Sequence, residues 1–315
     1  MRRLVLWLLA LTGLGLVVFY LLTAPRTIAA SDIPTHEPDL ANGKAMFWAG
    51  GCVSCHAEVG GPKCDDAKIK DKARLAGGRC LKTPFGTFYV PNISPDKSSG
   101  IGAWSRRDFI NAMKRGVSPG GAHYYPAFPY TSYQHMRIED LIDLQAYLKT
   151  LPAVASNVPG HQLALPFRLR RGLGLWKLLY LDGREFVPDP AAGAAVNRGG
   201  YLVRGPGHCG ECHTPRNILG GFVSGKFLAG GPALEGKGWI PNITPHRDGI
   251  ASWSKADIVY SLETGLKPDF DSFGSTMVDV QENIAMLAAA DRKAIAAYLK
   301  TVPPVAGAKP KKKKK

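Results

Sequence analysis

Residues 52–56 read Cys-Val-Ser-Cys-His, and residues 209–213 read Cys-Gly-Glu-Cys-His. Two cysteines separated by two residues lie on one turn, so each thiol can form a thioether with a vinyl group on the same porphyrin edge. The histidine that follows then lies beneath the iron and supplies an imidazole nitrogen, which makes the pattern the attachment signal for c-type haem. A zinc ribbon would need a second cysteine pair about 15–20 residues on, and a thioredoxin-like redox pair has no use for the trailing histidine. In this chain the pairs lie more than 150 residues apart. The spacing predicts two covalently bound haem c groups, on Cys52 and Cys55 with His56, and on Cys209 and Cys212 with His213.

These sites sit in a chain that repeats itself. CxxCH recurs after 157 residues, LAGG (75–78 and 228–231) after 153, VPNISP/IPNITP (90 and 240) after 150, WSRRDF/WSKADI (104 and 253) after 149, and AYLKTLP/AYLKTVP (146 and 297) after 151. Five landmarks in one order, with drift small enough for loop insertions, indicate a duplicated domain. Each copy reads as mostly helical with long loops. Leu141, Leu144, Leu148 and Leu151, and Ile295, Leu299 and Val302, recur at helical steps. Acidic residues open both runs, and Pro152 and Pro303 stop them. The expected division is 1–30 anchor, 31–152 first domain, 153–197 linker rich in proline and glycine, 198–304 second domain, and 305–315 a lysine-rich tail. Within the linker, LRRGLGLWKLLYL (169–181) reads either as a segment packed across both domains or as an interfacial membrane contact.

Arg2 and Arg3 precede 19 uncharged, mostly apolar residues, Leu4 to Leu22. As a helix rising about 1.5 Å per residue, this run nearly crosses a hydrocarbon core of about 30 Å. A cleaved secretory signal usually has a shorter apolar core, so a retained N-terminal transmembrane helix is expected. Arginines ahead of the span leave the remainder outside, on the periplasmic face of a bacterial inner membrane. The net charge is +15; without the six lysines of the KPKKKKK terminus it is +9. A basic field steers acidic partners and says nothing about fold. Export excludes nucleic acid as the partner.

The CxxCH motifs, the PNI(S/T)P loops, YYPAFPY, GSTM at 274–277 and the AYLKT helices together resemble class I cytochrome c domains. The chain beyond the anchor is similar to the membrane-anchored multihaem cytochrome c subunits of periplasmic dehydrogenases such as the alcohol and gluconate enzymes. Those subunits commonly carry three haems, whereas this chain has two motifs. The resemblance implies a mostly α fold of two tandem class I cytochrome c domains with long loops, preceded by one N-terminal transmembrane helix. It also implies a methionine as second axial ligand in each domain. Trp253–Gly265 parallels Trp104–Gly116, and twelve residues past each glycine stand Met277 and Phe128. Phenylalanine cannot ligate iron, so Met136 becomes the expected ligand of the first haem, with His135, His123 or an open iron as alternatives. Met113 falls at a core position, and Met286 is the spare in the second domain.

Cys64 and Cys80 are peculiar to the first copy. In an oxidising compartment they most simply form a disulfide, contributing about 3 kcal/mol through loop entropy; free thiols or ligands are the alternatives. Arg168, Arg170 and Arg171 read as partners of haem propionates or as a solvated basic face, and Asn92 and Asn242 as hydrogen-bonding residues near the haems. An iron with both axial positions filled exchanges electrons and offers no substrate site, so the expected function is a dihaem electron carrier. Its donor would be a periplasmic dehydrogenase or a quinol, and its acceptor a cytochrome c or a terminal oxidase. The alternative is a dihaem redox enzyme of the peroxidase or thiosulfate dehydrogenase type, with the first haem open.

Overall fold

A computed structural model describes residues 1–60, 69–233 and 238–307. The N-terminal run forms α1 (Arg2–Leu22), none of whose residues is buried against the rest of the protein. After it come α2 (Leu40–Ala49) and α3 (Cys52–His56), then α4 (Arg106–Arg115), α5 (Tyr130–Tyr133) and α6 (Ile138–Leu148). The middle of the chain holds α7 (Leu173–Tyr180). Beyond it the series returns as α8 (Ala194–Arg204), α9 (Gly210–His213), α10 (Lys255–Thr264), α11 (Met277–Ile284) and α12 (Ala289–Leu299). Strands among the described residues are short antiparallel pairings that brace loops, the longest pairing Cys80–Thr83 with Gly86–Tyr89.

Local sequence explains where these helices start and stop. Ser105 and Asp108 cap the N-terminus of α4 reciprocally, and Ser254 and Asp257 do the same for α10. Both helices end on a left-handed glycine, Gly116 at φ 58° and Gly265 at φ 79°. In each half the opening and closing helices cross at a glycine. A Cβ on Gly43 of α2 would lie 2.2 Å from the Asp143 carbonyl oxygen of α6, and one on Gly199 of α8 would lie 1.9 Å from that of Ala294 in α12. The hydrophobic core is continuous across both halves and includes Met46, Leu141 and Ile142 from the first and Leu202, Val203 and Leu299 from the second.

The closing helices fall where periodicity placed them, with Leu141, Leu144 and Leu148 buried in α6 and Ile295 and Leu299 in α12. The segment 169–181 touches both halves on one side. Gly174 packs on Thr23, Lys177 on Gly116, and Trp176 and Tyr180 reach residues 217–221. Its two arginines, and Arg168 just before it, bond within the protein. Arg168 donates to the Leu163 carbonyl, Arg170 donates to that of His123 and stacks on Tyr125, and Arg171 holds Tyr20 and Thr23 at the end of α1. Cys80 is disulfide-bonded, while Cys64, its expected partner, lies outside the described residues, as do residues 308–315 of the tail.

Candidate functional site

Two equivalent devices hold the CxxCH histidines. His56 Nδ1 donates to the Pro91 carbonyl at 2.8 Å, and His213 Nδ1 donates to that of Pro241 at 2.8 Å. A carbonyl only accepts, so each Nδ1 carries the proton and each Nε2 keeps its lone pair for a metal. The LAGG segment brings that carbonyl into place. Gly77 N donates to His56 O at 2.9 Å and Gly230 N to His213 O at 2.7 Å. Gly77 (φ 69°) and Gly230 (φ 73°) pass so close to the proline loops that a Cβ would meet backbone at 2.5 Å in both. Further along, Ile93 N bonds Leu75 O and Ile243 N bonds Leu228 O, each at 3.0 Å. The repeated CxxCH, LAGG and PNI landmarks are thus one apparatus. Asn92 and Asn242 serve it from behind, donating to Val154 O at 2.6 Å and Val305 O at 2.7 Å after the closing helices.

The surroundings are partly dehydrated, with His213 buried, His56, Cys52, Cys55 and Cys209 half-buried, and Cys212 exposed. Burial, followed by the neighbouring Cys55 thiol, pushes Cys52 up to about 12, and burial with Cys212 does the same to Cys209. Desolvation lowers His56 to about 4 and shifts His213 downward, against the carbonyl bond that opposes the shift in each. Two thiols and an imidazole with a free Nε2, repeated twice, are a donor set that fits a c-type haem at each motif. Among the described residues no cluster of three or more His, Cys, Asp or Glu side chains offers an alternative all-protein metal cage.

The two motifs lie side by side. The Tyr133 ring stands 5.6 Å from that of His208, and its phenol pKa is pushed well up by burial and then by Cys52 and Cys55. His208 Nε2 donates to the Gly50 carbonyl at 3.1 Å. Each half also grips the other's attachment helix. Asn283 of α11 donates to Ser54 Oγ of α3 at 2.7 Å, while Thr131 and Ser132 of α5 donate to Glu211 of α9 at 2.8 and 2.6 Å. Arg216 closes the Glu211 cluster as an ion pair. Sequence reasoning missed these contacts, Glu211 above all.

Met277 opens α11, half-buried, with a bridge between Leu266 and Ser272 matching the one between Val117 and His123 and supporting the 149-residue register that sets it opposite Phe128. Phe128 instead packs edge-on against Tyr133 at 5.6 Å. Met136 is fully buried near Gly205, and its carbonyl accepts from Lys114 at 2.6 Å. The matching spans of α6 and α12 are offset by 151, which sets Met136 opposite Leu287, a buried packing residue. His123 spends both ring nitrogens, on Thr23 O at 2.9 Å and Lys177 Nζ at 3.1 Å, and His135 Nδ1 bonds Arg184 O at 3.0 Å. Met113 packs in the core and Met286 is 56% exposed.

Comparison with known proteins places this geometry in context. Residues 40–152 match the family described as Cytochrome c. A diheme cytochrome c-type protein of Cereibacter sphaeroides is 49% identical over 267 residues, 85% of this chain and 87% of that protein. The fructose dehydrogenase cytochrome subunit of Gluconobacter japonicus is 35% identical over 300 residues, covering 93% of this chain and 59% of the subunit. The gluconate 2-dehydrogenase cytochrome c subunit of Pantoea cypripedii is 34% identical over 284 residues, 87% of this chain and 62% of the subunit. The chain thus spans roughly three fifths of each of these two dehydrogenase subunits.

Proposed function

The chain belongs to the cytochrome c family, and from that premise we propose that it is a membrane-anchored dihaem electron carrier serving a dehydrogenase. The observation that carries this reading is the pair of CxxCH histidines whose Nδ1 atoms donate to equivalent proline carbonyls, which supports one metal-binding Nε2 in each half. In this reading residues 31–152 and 198–304 are tandem class I cytochrome c domains joined by 153–197, with 1–30 as the anchor. Cys52, Cys55 and His56 would hold one haem c, and Cys209, Cys212 and His213 the other. Bound haem supplies one-electron exchange between ferric and ferrous iron.

The chain's own residues do the rest. The carbonyl-bound imidazoles are fixed in tautomer and orientation, and each Nε2 is left to hold a metal. Met277 and Met136 would offer thioether sulfur on the open sides, a ligation that raises potential and suits delivery to a cytochrome or terminal oxidase. The likeness to dehydrogenase subunits supports a periplasmic dehydrogenase as donor, with quinol as the alternative donor. The apolar α1 supports attachment to the bacterial inner membrane with the haem domains on the periplasmic side.

Haem content per chain tests the count: two haems are expected, and Cys52→Ala with Cys55→Ala should leave one. A second reading, a redox enzyme with an open first haem, draws on Phe128 at the ligand position and on the packing register of Met136. The spectrum of the oxidised Met136→Ala protein separates the two. The carrier predicts loss of half the methionine-to-iron charge-transfer band, and the open-haem enzyme predicts no loss together with carbon monoxide binding by the ferrous wild type.

A further inference from the structure

We infer that the uncovered apolar face of α7, with the loop at residues 218–219, is seated in the headgroup layer of a lipid surface. The inference rests on the reading of α1 as a membrane span. α7 has two faces. Gly174 and Lys177, one turn apart, point inward: a Cβ on Gly174 would lie 2.6 Å from Thr23 Cα, and Lys177 Nζ donates to the Arg115 and Gly116 carbonyls at 2.7 Å each. Leu175, Leu178 and Leu179, spaced at i, i+3 and i+4, line the opposite side, and the last is 66% exposed. Trp176 Nε1 donates to the Leu219 carbonyl at 2.8 Å and brings Ile218, 97% exposed, beside them. Apolar surface gathered in this way is otherwise buried by a soluble protein.

Its position identifies the occupant. The base of α7 is bonded to the last turn of α1. Arg171 donates to Tyr20 O at 2.6 Å and to Thr23 Oγ1 at 2.9 Å, its guanidinium lies 4.3 Å from the Tyr20 ring centroid, and His123 holds Thr23 O. A bilayer that surrounds α1 up to Tyr20 must therefore continue beneath α7. Tyr20 and Trp176 suit the depth where amphipathic rings collect, and the exposed Arg168 suits acidic headgroups. A leucine face with basic flanks, sunk about 5–10 Å, is the build of an interfacial helix.

The test uses the full haem-loaded chain in nanodiscs of phosphatidylcholine and phosphatidylglycerol, with nitroxide labels at Leu179→Cys, Ile218→Cys, Leu11→Cys in the span and the exposed Lys97→Cys. Collision of each label with oxygen, which partitions into lipid, and with a water-soluble nickel chelate is read by electron paramagnetic resonance. The expected result is a gain in oxygen and a loss in chelate accessibility at positions 179 and 218 relative to 97, with position 11 deeper still. If position 11 reads as lipid while 179 and 218 match 97, the face lies in water. If 179 and 218 lose access to both reagents, a protein covers them. Either outcome overturns the inference and leaves the span intact. Should position 11 itself read as water, the span fails, and the inference with it.

Discussion

Glu211→Gln should raise the midpoint potential of the second centre, because a carboxylate two residues from His213 favours the more positive ferric state, and neutralising it removes that preference. The same change loosens a buried cluster in which Thr131, Ser132 and Arg216 all donate to Glu211, at a cost of about 1–3 kcal/mol. Spectroelectrochemical titration checks the first outcome and denaturant unfolding the second. At this scale the sequence was legible wherever chemistry resides in side-chain identity and spacing, as in Cys52, Cys55 and His56. The Pro91 and Pro241 carbonyls that orient the imidazoles were not, since any residue carries a carbonyl and only the fold aims it. Asn92 shows the limit from the other side: its type suggested a polar role, and its place is behind the loop, bonded to Val154.

Helix crossings bear on stability more directly than helix content does. Gly43→Ala and Gly199→Ala each push a methyl into a backbone carbonyl of the facing helix, and each should cost about 1–3 kcal/mol or more. Thermal unfolding of the loaded protein checks this, and Gly160→Ala, where nothing lies within 4 Å, is the neutral control. Lys177 in α7 gives a pH signature. Burial lowers its pKa from 10.5 to about 7, so between those values the unfolded chain holds a proton that the folded chain releases. Its contribution is present above pH 10.5, is lost progressively as pH falls to about 7, and is flat below. Lys177→Met should remove that part of the slope when unfolding midpoints are compared across the range. The closing helices were readable because their leucines recur with the helical period. The two faces of α7 were not, because its one charged residue, Lys177, lies on the covered face and Leu175, Leu178 and Leu179 on the exposed one, the reverse of what side-chain polarity suggests.

On the scale of the whole molecule, a net charge of +15 should make electron delivery to an acidic partner slow as ionic strength rises, because the Debye length shrinks to about 8 Å at physiological salt. Stopped-flow rates against salt check it, and rates indifferent to salt would exclude steering. The repeat was visible in the sequence, since landmarks recur in order. The seam between the halves was hidden, because its partners, such as Ser54 and Asn283, stand 229 residues apart and no periodicity links them. At that seam Ser54 and Glu211 hold the same place in their CxxCH motifs, and Asn283 and Ser132 the same place before their closing helices. Residue meets residue as in a two-fold homodimer, here completed inside one chain. The halves differ in their chemistry, at Phe128 against Met277 and at Cys80 in the first alone, yet the seam treats both motifs alike: the third residue of each is gripped by a side chain that stands before the other half's closing helix, so neither attachment turn is held by its own half alone.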